Sequence, residues 1–186
     1  MEEKKLPIVI IVAMDENNLI GKEGDLPWGR FKADLKRFKN LTEHHVLIVG
    51  RKTHEAILRK QQGPLRNRKT IVVSKKLVTL YLPPNCYAVS DPETALQLAQ
   101  IIREDKSQEV FIAGGAEIYR LFLPRATRIY ITRIHAAFEG DVYFPHWSMN
   151  NWTCTRYDKT YINEDIHAGY TFATLERKEK NDASVS

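Results

Sequence analysis

Four short apolar runs, each followed by a turn and then a helical pattern, constrain this chain more than any other feature. Ile8–Met14, Val46–Val49, Thr70–Val73 and Val110–Ala113 are rich in β-branched residues and continuous rather than alternating. A strand reads that way when both its faces are covered, as in a parallel sheet lying between helices. Between the runs the period changes. Phe31, Leu35, Phe38 and Leu41 repeat at helical spacing, and a short helix is expected around His54–Arg59. Ala95, Leu96, Ala99 and Ile102 share one face of a third helix, and Ile118, Leu121 and Phe122 mark a fourth. Ser90 is read as the N-cap of the third, because Ser90-Asp91-Pro92-Glu93 has capping-box spacing and a proline in the first turn.

Beyond Pro124 the pattern turns to β, at Arg128–Ile134, Trp152–Tyr161 and Tyr170–Glu176. The expected fold class is α/β, with a central, mostly parallel twisted sheet and an antiparallel C-terminal edge strand. About four helices flank it. A chain of 186 residues suits one domain. We place that domain over residues 1–177 and expect a polar, disordered tail over 178–186. Lys60-Gln61-Gln62 is read as a lengthened loop before Pro64.

Charge and cysteine content narrow the function classes. The net charge is +5, with basic residues scattered through the chain. Scattered charge suits an anionic small ligand better than a nucleic-acid stripe, so no nucleic acid is required. Two cysteines, Cys86 and Cys154, form no disulfide framework, and no Cys/His spacing suggests a metal. The apolar stretch Leu6–Met14 is short, contains Pro7 and meets no small-residue cleavage site, so no signal peptide is expected. No run approaches a membrane span, and the expected location is cytoplasmic.

One charge is out of place. Asp34 lies three residues after Phe31 and four before Phe38, within the apolar stripe of the first helix. A half-buried carboxylate costs several kcal/mol, on the order of 2–5, unless something hydrogen-bonds it. Either a protein group does so, Arg30 or Arg37 being the nearest, or a ligand does.

Three strand ends carry anion-binding chemistry. Gly114-Gly115 separates a strand from a helix, where free N–H groups and a bare backbone admit a phosphate, although a tight turn explains it too. Gly50-Arg51-Lys52-Thr53 adds two cations and a hydroxyl at another helix start, unless these are a simple cap and solvated charges. Ser74-Lys75-Lys76 ends a third strand. Together they suggest a ligand with several phosphates. Arg68 is either a solvated loop arginine or a two-pronged carboxylate binder.

In this order and spacing the segments resemble the dihydrofolate reductase family, from Ile8 to about Arg177. The carrying pieces are Ile20-Gly21, Leu26-Pro27-Trp28, Asp34, Val49-Gly50-Arg51-Lys52-Thr53 and Asn67-Arg68-Lys69. Ile112-Ala113-Gly114-Gly115-Ala116-Glu117-Ile118-Tyr119, Ile131-Thr132 and Glu139-Gly140-Asp141-Val142-Tyr143-Phe144-Pro145 complete them. The most specific is the helical acid six residues after Leu-Pro-Trp.

The resemblance implies a monomer that reduces 7,8-dihydrofolate with NADPH and is inhibited by antifolates. Asp34 would hold the pterin, braced by Thr132, while Trp28 would help to hold a water, Tyr119 would sit near the nicotinamide and the reacting edge, and Leu26 would line the ring pocket. Val12, Ala13, Leu35, Phe38, Ile57, Leu65 and Ala113 match the walls around the pterin and aminobenzoyl rings. Arg68 matches the arginine that takes the glutamate α-carboxylate. The cofactor would touch Ala13, Ile20, Gly21, Gly50, Arg51, Lys52, Thr53 and Val73, then Gly114, Gly115, Ala116, Glu117, Ile118 and Tyr119. Arg51, Ser74 and Lys75 match the 2′-phosphate contacts. Family members often carry a cis peptide at Gly114–Gly115, and Asn17–Trp28 matches a mobile lid.

Two departures stand out: Ala113 replaces a larger aliphatic, and Ala116 a frequent glycine. Two rivals are a reductase of similar fold acting on a ribosylated pyrimidine and a noncatalytic nucleotide- or RNA-binding module. Asp34 and Arg68 speak against the first, and the module predicts indifference to Asp34→Asn.

Overall fold

The computed structural model describes residues 6–76, 81–158 and 160–179. The tail expected from residue 178 onward lies outside the described residues beyond Glu179. Strands β1 (Ile8–Met14), β3 (Val46–Gly50), β4 (Lys69–Val73) and β6 (Val110–Ile112) fall on the apolar runs. Helices α1 (Lys32–Thr42), α2 (Arg51–Gln61), α3 (Pro92–Ile102) and α4 (Ala116–Phe122) alternate with them. Strands β2 (Leu19–Gly21), β5 (Cys86–Val89), β7 (Arg128–His135) and β8 (Val142–Tyr143) complete the first part. The C-terminal strands are β9 (Trp152–Tyr157), β10 (Tyr161–Asn163) and β11 (Ala168–Arg177).

The main sheet has nine strands in the order β10-β11-β7-β1-β6-β3-β4-β5, with β9 also paired to β11. From β7 to β5 every neighbour is parallel. Beyond β7 the sheet turns antiparallel. Strand β9 lies along the end of β11 and β10 along its start, so the two share one edge. The stretch expected as a single strand over 152–161 is therefore two. The central strands are buried because helices cover both faces; Val9, Ile10, Leu47, Ile48, Ile71 and Ile112 have no exposed surface.

Other boundaries also differ from expectation. Asp91, not Ser90, caps α3: its carboxylate accepts from Thr94 N at 2.9 Å, and Ser90 Oγ only donates to Asp91. An ionised carboxylate is the stronger acceptor for the free N–H groups of a first turn. Helix α2 begins at Arg51 and runs through Lys60 and Gln61, with Gln62 left-handed at its C-cap (φ 53). Lys60 and Gln61, expected in the loop, thus belong to the helix. Among the described residues no helix is long and apolar enough to cross a membrane.

The segment after β1 is more structured than its polar composition suggests. Strand β2 pairs with β8, Phe144 N donates to Asn18 O at 2.8 Å, and Glu23 N donates to Asp141 Oδ1 at 2.9 Å. Gly140 makes this approach possible, because a Cβ there would lie 2.5 Å from Gly21 O and 2.9 Å from Leu19 Cδ1. Gly140→Ala must push β2 from β8, and a thermal melt should show a loss of about 1–3 kcal/mol. An unchanged melting temperature would mean that this pairing does not hold the segment.

Candidate active site

The parallel strands end on one side of the sheet, and ligands of such sheets gather there. Strand β1 delivers Val12 and Ala13, β3 delivers Gly50, β4 leads to Ser74, and β6 leads to Ala113 and Gly114. Helix α1 brings Asp34 towards β7, where Thr132 Oγ1 donates to Asp34 Oδ1 at 2.6 Å. Burial pushes the Asp34 carboxyl above the usual carboxylate range, while the Thr132 hydrogen bond and the Arg37 charge pull it back down. Among the described residues Asp34 makes no ion pair within 4.0 Å. The direct pairing with Arg30 or Arg37 that its position allows is therefore not formed.

The apolar stripe around Asp34 is only half covered by protein. Phe31 is fully buried, but Leu35 is 38% exposed, and Phe38 and Leu41 are partly buried. Phe38, Leu65 and Ala113 pack on the same cluster of Val9, Ile11, Leu47 and Phe111. Ala13 and Leu26 pack against a second cluster that contains Trp28, Phe31 and Ile134. Ile57, on α2, is partly buried and belongs to none of these clusters. Trp28 is 5% exposed and meets Phe138 edge to face, yet its Nε1 has no hydrogen-bond partner among the described residues. A buried indole N–H without an acceptor is costly, so this donor is available to a water or a ligand.

Arg68 is 9% exposed and held in place before β4. Its Nε donates to Arg66 O at 2.9 Å, its Nη1 donates to Thr42 Oγ1 at 3.1 Å, and Phe38 lies 6.0 Å below it. It is thus a fixed guanidinium rather than a solvated loop residue, and burial pulls its pKa below the usual arginine value.

The glycine motifs converge. A Cβ on Gly50 would lie 3.0 Å from Ile118 Cγ1, and one on Gly115 would lie 3.5 Å from Thr53 Oγ1. Gly50 N donates to Gly114 O at 2.8 Å, and the Gly114–Gly115 peptide is cis. The first turns of α2 and α4 follow glycine N-caps and receive no side-chain cap among the described residues, which leaves their N–H groups to an anion. Lys75 is exposed and acts electrostatically on Glu117, which brings the end of β4 near α4. Ser74 is buried and accepts from Lys76 N at 3.1 Å. Lys52 is exposed, whereas Arg51 is paired with Glu55 at 2.8 Å. Ile20 is partly buried against the large core cluster that also contains Val73 and Ile118. Ala116 opens α4, and Glu117 pairs with Arg120.

Tyr119 is 5% exposed, and its hydroxyl donates to Ile11 O at 2.8 Å. Burial and the nearby Asp34 charge push this phenol far above its ordinary pKa. It stays neutral, with its one proton committed to β1.

The family model for dihydrofolate reductase matches residues 7–177. The chain belongs to the dihydrofolate reductase family. The dihydrofolate reductase of Bacillus subtilis (strain 168) is 38% identical over 176 residues, 95% of this chain and 98% of that protein. The one from Haloferax volcanii named HdrB is 36% identical over 172 residues, 92% of this chain and 84% of that protein. Among solved structures, dihydrofolate reductase from Enterococcus faecalis complexed with NADP(H) and RAB-propyl superimposes with a TM-score of 0.78. It is 31% identical, and the match covers 93% of this chain and 97% of that one.

In this dihydrofolate reductase fold two residues make contacts that sequence reasoning did not assign. Asp15 has no exposed surface and accepts from Asn17 N and Leu19 N at 2.8 Å each and from Phe138 N at 2.9 Å. Its signal was an aspartate closing a strand just before Asn17-Asn18, an Asx-turn pattern. Arg37 is the other: weighed from the sequence only as an ion-pair partner of Asp34, it instead donates to Thr132 Oγ1 at 3.3 Å.

Proposed function

We infer that the chain reduces 7,8-dihydrofolate to 5,6,7,8-tetrahydrofolate with NADPH. The observation that carries this reading is Asp34, a carboxylate on a half-covered apolar face with, among the described residues, one protein hydrogen bond and no ion pair. The 2-amino group and N3–H of a pterin supply the donors such a group lacks. Thr132 braces the carboxylate from β7. Leu26, Val12, Ala13, Leu35, Phe38, Ile57, Leu65 and Ala113 offer apolar walls for the pterin and aminobenzoyl rings, and Arg68 offers its fixed fork to the glutamate α-carboxylate.

NADPH, when bound, supplies the hydride that passes from nicotinamide C4 to pterin C6. The chain fits that cofactor by its own features. Neither helix start at Gly50–Thr53 or Gly115–Ile118 spends its N–H groups on a side chain, which suits a pyrophosphate. Arg51, Ser74 and Lys75 suit a 2′-phosphate, with Arg51 leaving Glu55 to reach it. Trp28 Nε1 is a donor that can hold a water, and the proton for N5 comes from water rather than directly from Asp34. Residues 17–28 close over the site and exclude water from it. The protein's part is therefore positioning and electrostatics.

The deciding assay follows nicotinamide absorbance with purified protein, NADPH and dihydrofolate, beside Asp34→Asn. Rapid oxidation that needs Asp34 is expected. NADPH binding without turnover would move the substrate to a ribosylated pyrimidine.

Ala113 leaves room beside the pterin that a larger aliphatic would fill. Ala113→Ile should tighten a diaminopyrimidine inhibitor by about tenfold while changing turnover much less. Equal inhibition constants for the two proteins would remove this idea.

A further inference from the structure

A threonine hydroxyl has one proton and two lone pairs, so what it accepts decides where it donates. Thr132 accepts from Arg37: Nη1 donates to Thr132 Oγ1 at 3.3 Å and to Ile131 O at 3.0 Å. Nη2 donates to Ala173 O at 3.2 Å, which ties α1 to β7 and β11 together. The guanidinium also lies 4.5 Å from the Phe172 ring centroid and 5.6 Å from that of Tyr130. A guanidinium only donates, so the remaining hydroxyl proton goes to Asp34, as the 2.6 Å contact records. Arg37 stands three residues after Asp34 on the same helix, near enough to act on it by charge.

We propose that Arg37 is a positioning residue for the reduction: it locks the Thr132 hydroxyl onto Asp34 and steadies that carboxylate with its own charge. The proposal rests on the reading of Asp34 as the group that anchors the substrate. Burial alone would favour the neutral acid, and Thr132 and Arg37 are the two groups that oppose it. The other titratable group whose field meets Asp34 is Tyr119 from α4, which is neutral and bonded to β1. On its far side Arg37 meets Asp158, Arg156 and Tyr130, and with Lys36 they border a cavity of about 410 Å³ between α1 and the sheet.

The alternative is that Arg37 merely staples a helix to a sheet. Such a staple changes melting temperature but not the pH at which Asp34 titrates. The test is a carboxyl-carbon NMR titration of Asp34 in the ligand-free protein, paired with the pH profile of kcat/KM for dihydrofolate. Both are run on the native chain, Arg37→Met and Arg37→Lys, with NADPH affinity as the control for folding.

In Arg37→Met both the Asp34 titration and the inflection of the rate profile should move to higher pH, with NADPH affinity unchanged. Arg37→Lys, which keeps the charge, should move them less. If Arg37→Met does not fold, Arg37→Gln, which loses the charge but keeps an N–H donor, should show the same upward shift. An Asp34 titration that is identical in every variant, whatever the melting temperature does, overturns the proposal. A titration that moves while the rate profile stays put upholds the Arg37–Thr132–Asp34 link but overturns the place given to Asp34 in the reaction.

Discussion

Asp34→Asn should fold, bind NADPH like the native chain, and lose about 10²–10⁴-fold in kcat with dihydrofolate. The asparagine can still accept the Thr132 hydroxyl through Oδ1. What it loses is the second anionic oxygen, and it turns an N–H₂ donor towards the donors of the pterin. An unpaired donor facing a donor inside a closed site costs more than the bond it replaces. A variant that reduced dihydrofolate at the native rate would end the assignment of Asp34.

The same variant carries a stability prediction whose sign follows from linkage. The folded pKa of Asp34 lies above its ordinary value, so the native state binds the proton more tightly than the unfolded chain does. Stability is therefore lost as pH rises from the ordinary carboxylate range through the folded value. Without ligands, native and Asp34→Asn proteins should melt alike at acidic pH. At neutral pH the variant should melt at the same temperature or higher, because a buried charge is relieved. A clear fall at neutral pH would mean that the carboxylate is part of a structural network instead.

The sequence disclosed strands best where both faces are buried. Ile8–Met14 matches β1 at both ends because a continuous β-branched run has few other uses. Strand β5 went unseen, since Cys86–Val89 is short, half exposed, and shows no period against the prolines before it. The pairing of Leu19–Gly21 with Val142–Tyr143 was hidden for a different reason. It joins strands of three and two residues far apart in the chain, and nothing local to either specifies the partner. Ser90 and Asp91 are both good caps, so composition alone could not choose between them.

The site shows the same division. Asp34 announced itself by breaking a helical period, whereas its link to Arg37 runs through Thr132 on a distant strand and has no local signal. Asp15 is buried under three backbone N–H groups, one of them from Phe138 far along the chain, and that contact has no local signal.

Arg68→Met should raise the KM for dihydrofolate by about 30–100-fold, roughly 2–3 kcal/mol, with little change in kcat. The guanidinium is already paid for: it is buried, with Nε and Nη1 on Arg66 O and Thr42 Oγ1 before any ligand arrives. A carboxylate that binds it meets a fork of fixed geometry, and little side-chain entropy remains to be lost. The contact lies at the tail of the substrate, so it is equally strong in the ground and transition states. Uniform binding of that kind appears in KM rather than kcat. Folding should survive, because Thr42 Oγ1 keeps its own bond to Phe38 O at 2.7 Å when Arg68 is gone. A dihydropterin without the aminobenzoylglutamate tail separates this role from a structural one. Its KM should be the same in both proteins; an equal rise for both substrates would make Arg68 a strut under Phe38 rather than the anchor of the glutamate.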